Sequence, residues 1–164
     1  MSIQRGDIIG VQCDPSIKTH RIIRDNTYSE TVHIAIALSP TRCMEMHLGG
    51  LRSRAISRYK NIRIFRPPVA LRENIEHGID ATYEKYKWAD YNVWQGFCQG
   101  VKAKFGFWLP FSRKGSGNCS EVGARYAEVI GTPGIGDENQ YHPGKIVDHI
   151  FIKGWTETTA KERP

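Results

Sequence analysis

No Cys-x-x-Cys pair occurs in this chain. Its four cysteines, Cys13, Cys43, Cys98 and Cys119, stand far apart, which excludes a zinc ribbon and a dithiol redox centre. No stretch approaches the roughly 18 apolar residues of a membrane span. The first residues, Met1-Ser2-Ile3-Gln4-Arg5-Gly6, lack the apolar core of an export signal. The chain therefore reads as made and kept in a reducing cytoplasm, with free thiols as the expected state. Internal repeats and linkers are missing, and so is any repeated basic-aromatic module, so nucleic acid is not the expected partner. Neither a cofactor nor a metal is expected.

What is present suits one compact domain. A length of 164 residues, with 40% hydrophobic and 10% aromatic residues, can bury a single core without a disulfide framework. The 23 Lys and Arg against 17 Asp and Glu give a net charge of +6, which favours anionic neighbours such as cell-wall polymer or a membrane surface. The basic residues, Arg52, Arg54, Arg58, Lys60, Arg63 and Arg66 among them, are dispersed and read as a solvated surface.

The pattern of apolar residues predicts α+β. Gly6–Gln12 reads as a strand ended by Asp14-Pro15, and Ser16–Asp25 as a helical turn capped by Ser16. Val32–Leu38 and Cys43–Leu48 alternate with period two around the turn Ser39–Arg42, a hairpin. Leu48-Gly49-Gly50 breaks the pattern, and Asn61–Arg66 is a strand stopped by Pro67-Pro68. Helical spacing then runs over Leu71–Trp88 and Val93–Phe105, and again from Cys119 to Gly131. Gly134–Gly144 reads as irregular, His149–Lys153 as a last strand and Glu157–Pro164 as a polar tail.

Cys119 carries the strongest chemical signal, because it stands where the Gly/Ser loop Ser112–Asn118 meets the first turn of a helix. Unpaired N–H groups and the positive end of the helix dipole favour a thiolate there and can receive an oxyanion. His33 opens a strand whose same face carries only Ala35 and Ala37, leaving room beside the imidazole. The partner strand presents Glu45 and His47 to that face. One hairpin register sets His33 opposite His47 and diagonal to Glu45; a shift of two residues sets Glu45 opposite. His142 and His149 read as surface residues, and His20 and His77 carry no argument.

Five segments in order then suggest a family: Gly6-Asp7-Ile8-Ile9, Ser29-Glu30-Thr31-Val32-His33, Met44-Glu45-Met46, Ile64-Phe65-Arg66-Pro67 and Asn118-Cys119-Ser120-Glu121. This order resembles the circularly permuted NlpC-like branch of the papain-like superfamily, which includes the lecithin retinol acyltransferase-like enzymes. The chain departs from that pattern where Glu30-Thr31-Val32 lengthens the Ser-His spacing and Ala35 replaces a common glycine. The resemblance implies a papain-like, NlpC-like domain over residues 1–164: an antiparallel sheet packed on helices, with the histidine strand before the cysteine helix. It implies Cys119 as nucleophile, His33 as base and Glu45, in place of a second histidine, as the group that orients it. It further implies an aromatic hydroxyl, Tyr91 or Tyr86, at the oxyanion; Ser120 and His47 complete the candidate pocket.

The function this implies is thiol-dependent amide hydrolysis, with a peptide or the stem peptide of peptidoglycan as substrate. Delivery to a cell wall would then be by a phage particle or lysis. Two alternatives stand beside it: acyl transfer or (thio)ester hydrolysis on a lipid or acylated protein, and a non-enzymatic basic module such as a virion component.

Overall fold

The computed structural model of the chain describes residues 2–91, 116–136 and 140–159. The expected helix over Val93–Phe105, and Cys98, lie outside these residues. Six antiparallel strands form the main sheet: β1 (Ile8–Gln12), β2 (Thr31–Ala37), β3 (Arg42–His47), β4 (Gly50–Ala55), β5 (Ile62–Arg66) and β8 (Thr156–Thr159). Their order across the sheet is β4-β3-β2-β1-β5-β8. The central strands β1 and β2 bury both faces, which is why they read as nearly continuous apolar runs.

One face packs on helices. Ile8, Ile34, Ile36, Met44, Met46 and Phe65 form a core with residues of α2 (Ile75–Tyr86), α3 (Cys119–Val129) and α4 (Pro143–Ile152). The other face buries Ile9, Val11, Ala35, Ala37, Cys43 and Ile64 beneath Ile3 and Ile56. Among the described residues, a further helix, α1 (Lys18–Thr27), joins β1 to β2, and a short parallel pair, β6 (Asp90–Tyr91) with β7 (Ser116–Gly117), sits before α3.

Two segments singled out in the sequence meet at one point. Buried Asp7 accepts hydrogen bonds from Arg66 Nε at 3.0 Å and Nη2 at 2.8 Å, tying the start of β1 to the end of β5. Tyr126 on α3 donates to the Gly6 carbonyl at 2.9 Å, so the cysteine helix is fastened to the same corner.

Four expectations need correction. Residues His149–Lys153 are not a strand: Pro143 opens a helix, and Ile146, Val147 and Ile150 bury its inner stripe at helical spacing. The tail is not wholly free, because Thr156–Thr159 adds an edge strand to β5. Gly49 and Gly50, both at φ +96°, form a turn rather than a break, and a strand follows whose alternation was hidden by its arginines. Finally, α1 starts at Lys18 with no side-chain cap, the Ser16 hydroxyl being bonded to Asp14 instead.

Candidate active site

Asn118 fixes the start of α3. Its side-chain oxygen accepts the Glu121 N–H at 3.0 Å while the Glu121 carboxylate accepts the Asn118 N–H at 3.2 Å, a reciprocal capping box. Cys119 is the first helical residue and is buried, with a free thiol. Ser120 Oγ lies 2.7 Å from both Asn118 Oδ1 and the Tyr141 carbonyl oxygen. The Ser120 hydroxyl thus pins the segment leading into α4 against the cysteine.

One turn further along α3, Gly123 sets how close the helix lies to the sheet. A Cβ there would fall 2.6 Å from Ile34 Cγ2, well inside contact distance. Ile34 is the neighbour of His33, so this close approach brings the Cys119 end of the helix to the histidine strand.

β2 and β3 pair at Ile36↔Met44 and Ala37↔Cys43. Extended, that register sets His33 opposite His47 with Glu45 on the diagonal, the first of the two alternatives. The imidazole nevertheless bonds the diagonal residue: His33 Nε2 is 2.8 Å from Glu45 Oε2. This leaves Nδ1 as the ring nitrogen available to the sulfur. Although burial opposes its charge, the His33 pKa is raised to about 10 by the neighbouring Cys119 and then by Glu45.

Glu45 is fully buried and ionised. Burial alone would raise its pKa, but His33, Tyr59 and Arg52 hold it at about 2. Arg52 Nε and Arg54 Nη1 each donate to Oε1 at 3.1 Å, and the Tyr59 hydroxyl donates to Oε2. Tyr59 is itself kept protonated by burial and by that carboxylate, and its ring lies 6.0 Å from the His33 ring. These three partners were missed in the sequence, where Arg52 and Arg54 read as solvated surface. The signal that could have found them is the alternation Leu51-Arg52-Ser53-Arg54 just after a glycine turn, directly beside a strand carrying a buried carboxylate.

A cavity of about 780 Å³ opens over this group, within the usual range for small-molecule and peptide sites. Comparisons with protein-family models, curated proteins and solved structures find no match for this chain. The cavity is therefore read from its own walls. Cys119, His33, Glu45, Tyr91, Ser120 and His47 all line it, so the candidate residues come together at one site.

They differ in what they are free to do. Tyr91 pairs with Gly117 two residues before the cysteine, and its phenol has no hydrogen-bond partner among the described residues. Burial, then Cys119 and Glu45, raise its pKa and keep the hydroxyl as a donor. Ser120 is occupied structurally, and His47 turns Nδ1 to the Leu48 carbonyl at 3.4 Å. Tyr86 packs in the core and does not line the cavity. His20 and His142, read as uninvolved in the sequence, are both part of the cavity wall. Among the described residues no cluster of His, Cys, Asp or Glu could hold a metal ion, and no helix is long and apolar enough to cross a membrane.

Proposed function

We propose that this protein is a cysteine-dependent amide hydrolase, a peptidase or amidase acting on the stem peptides of peptidoglycan. Its sheet and helices would then be the papain-like, NlpC-like fold in circularly permuted order. The observation that carries the reading is the cavity in which His33, raised by Cys119, is fixed on its far side by an ionised, buried Glu45.

In this reading Cys119 gives its proton to His33 and attacks the substrate carbonyl carbon, forming the C–S bond. The oxyanion is received by the free N–H groups at the start of α3 and by the Tyr91 hydroxyl. His33 then passes its proton to the departing amine as the C–N bond breaks. Water, deprotonated by the same imidazole, cleaves the thioester and restores the thiol. Glu45 holds the ring in orientation throughout and does not itself exchange the proton.

The test is to incubate purified protein with peptidoglycan and measure new amino termini. Release that is lost in Cys119→Ala and in His33→Ala supports the reading; release no greater than that of Cys119→Ala overturns it. A second reading, acyl transfer, is favoured by the apolar wall that Ile17, Ile22 and Ile23 of the α1 region lend to the cavity. A labelled fatty acyl group appearing on Cys119 from an acyl donor would support that alternative.

A further inference from the structure

His142 is the N-cap of α4, and its side chain takes up an unusual duty there: Nδ1 accepts the Lys145 backbone N–H at 3.2 Å. An amide N–H can only donate, so Nδ1 must carry a lone pair and the ring proton must be on Nε2. Protonating Nδ1 would set N–H against N–H and place a positive charge at the positive end of the helix dipole. Burial first, and then Lys145, push the same way by lowering the His142 pKa, with only Asp148 opposing. The imidazole is thus held neutral, in one tautomer, by the fold itself.

Its position is fixed as rigidly as its proton. The preceding Tyr141 carbonyl is pinned by Ser120, the neighbour of Cys119, and the following Pro143 restricts the backbone. Gly144 lets α4 approach the segment leading into β2 closely, since a Cβ there would lie 2.1 Å from Ser29 Oγ. His142 lines the same cavity as Cys119 and His33, and Nε2 has no partner among the described residues. A neutral imidazole locked as an N–H donor at a helix N-terminus is a known device for polarising a carbonyl.

Resting on the hydrolase reading above, we propose that His142 Nε2–H is a catalytic hydrogen-bond donor to the carbonyl oxygen of the acyl substrate bound at Cys119. It complements the Tyr91 hydroxyl and the α3 amides, and it stabilises charge on oxygen without supplying a proton.

Two reactions of the same sulfur separate this role from its context. Iodoacetamide alkylation reports the Cys119–His33 pair alone, because attack at a saturated carbon develops no oxyanion. Acylation by p-nitrophenyl acetate adds the need to stabilise one. His142→Ser and His142→Asp keep an N-cap for α4 but cannot place a donor where Nε2 stands. Both variants are expected to alkylate Cys119 within about twofold of wild type yet acylate about 100-fold more slowly. Nitrogen-detected NMR of the wild type at pH 8 should show the Nε2–H tautomer of His142. Acylation at the wild-type rate in both capped variants, or an Nδ1–H tautomer, overturns the proposal. An equal loss of alkylation and acylation also overturns it, since His142 would then act through the Cys119–His33 pair. A wild-type Cys119 no more reactive than the other thiols would instead overturn the hydrolase reading beneath it.

Discussion

Replacing Gly123 by alanine should separate the Cys119 helix from the histidine strand without unfolding the protein. The added methyl would lie 2.6 Å from Ile34 Cγ2. Carbon atoms rest at about 3.5–4.0 Å, so the two elements must part by about 1 Å. Ile34 cannot easily yield, because it is fully buried and β-branched, with its Cβ already 3.6 Å from the same point. Overpacking of this kind costs about 1–3 kcal/mol. Exchanging glycine for alanine inside a helix returns about 1 kcal/mol. The net loss is therefore about 0–2 kcal/mol, a drop of only a few degrees in melting temperature for a chain of this size. Reactivity should suffer far more, since a misplacement of about 1 Å in a reacting pair costs roughly 100-fold. The assay is iodoacetamide labelling across pH 5–8 with mass-spectrometric readout of each cysteine, the other thiols serving as internal controls. Ile34→Ala removes the clashing methyl, so the double variant should recover part of the lost rate at some cost in stability. Labelling of Cys119 in Gly123→Ala at the wild-type rate and pH profile would refute the claim that this contact sets the distance.

Three further outcomes follow from the same geometry. Cys119→Ala removes the leading influence that raises the His33 pKa, so by NMR titration it should fall from about 10 toward 6.5; an unchanged titration would mean the sulfur and the ring do not interact. The Glu45 carboxyl, held at about 2 against an ordinary 4.5, contributes about 3 kcal/mol that is present above pH 4.5 and lost as pH falls toward 2. His33, raised from 6.5 to about 10, contributes stability that is full below pH 6.5 and lost as pH rises toward 10. Urea denaturation should therefore place the maximum for this pair between pH 4.5 and 6.5, and Glu45→Gln should flatten the acid flank while leaving most of the alkaline one, which Cys119 sets. Asn118→Ala removes the cap of α3 and should cost about 1 kcal/mol with a slower acylation of Cys119, measured by melting and by p-nitrophenyl acetate turnover.

Period-two alternation made β2 and β3 legible, and short β-rich runs ended by Asp14-Pro15 and Pro67-Pro68 did the same for β1 and β5, because buried strands demand apolar residues whatever their neighbours. The start of α3 was equally plain, with the Gly/Ser loop Ser112–Asn118 before it. The strand β4 was not, because its arginines look solvated until the buried carboxylate of Glu45 beside them is known, and that burial depends on long-range pairing. α4 was misread for a related reason: His149-Ile150-Phe151-Ile152 has strand-like composition, and only Pro143 with a histidine cap before it marks a helix start. The candidate cysteine, histidine and glutamate are together in the structure, but the hairpin register that joins them could not be chosen from alternation alone. His142 read as a surface residue because its proposed role comes from a helix cap and a cavity wall, neither of which a single histidine announces.

The arrangement around Glu45 also restricts how this site can drift. A histidine at position 45 could still accept a bond from His33, yet it would leave Arg52 and Arg54 without their carboxylate; both guanidinium groups are partly exposed, so solvent screening keeps the loss of stability well below that of a wholly buried pair. The orienting residue and strand β4 are therefore coupled. Exchange of the carboxylate alone would leave two guanidinium charges beside His33 and withdraw one support of its charged form, so the penalty falls on the chemistry of the site before it falls on the fold.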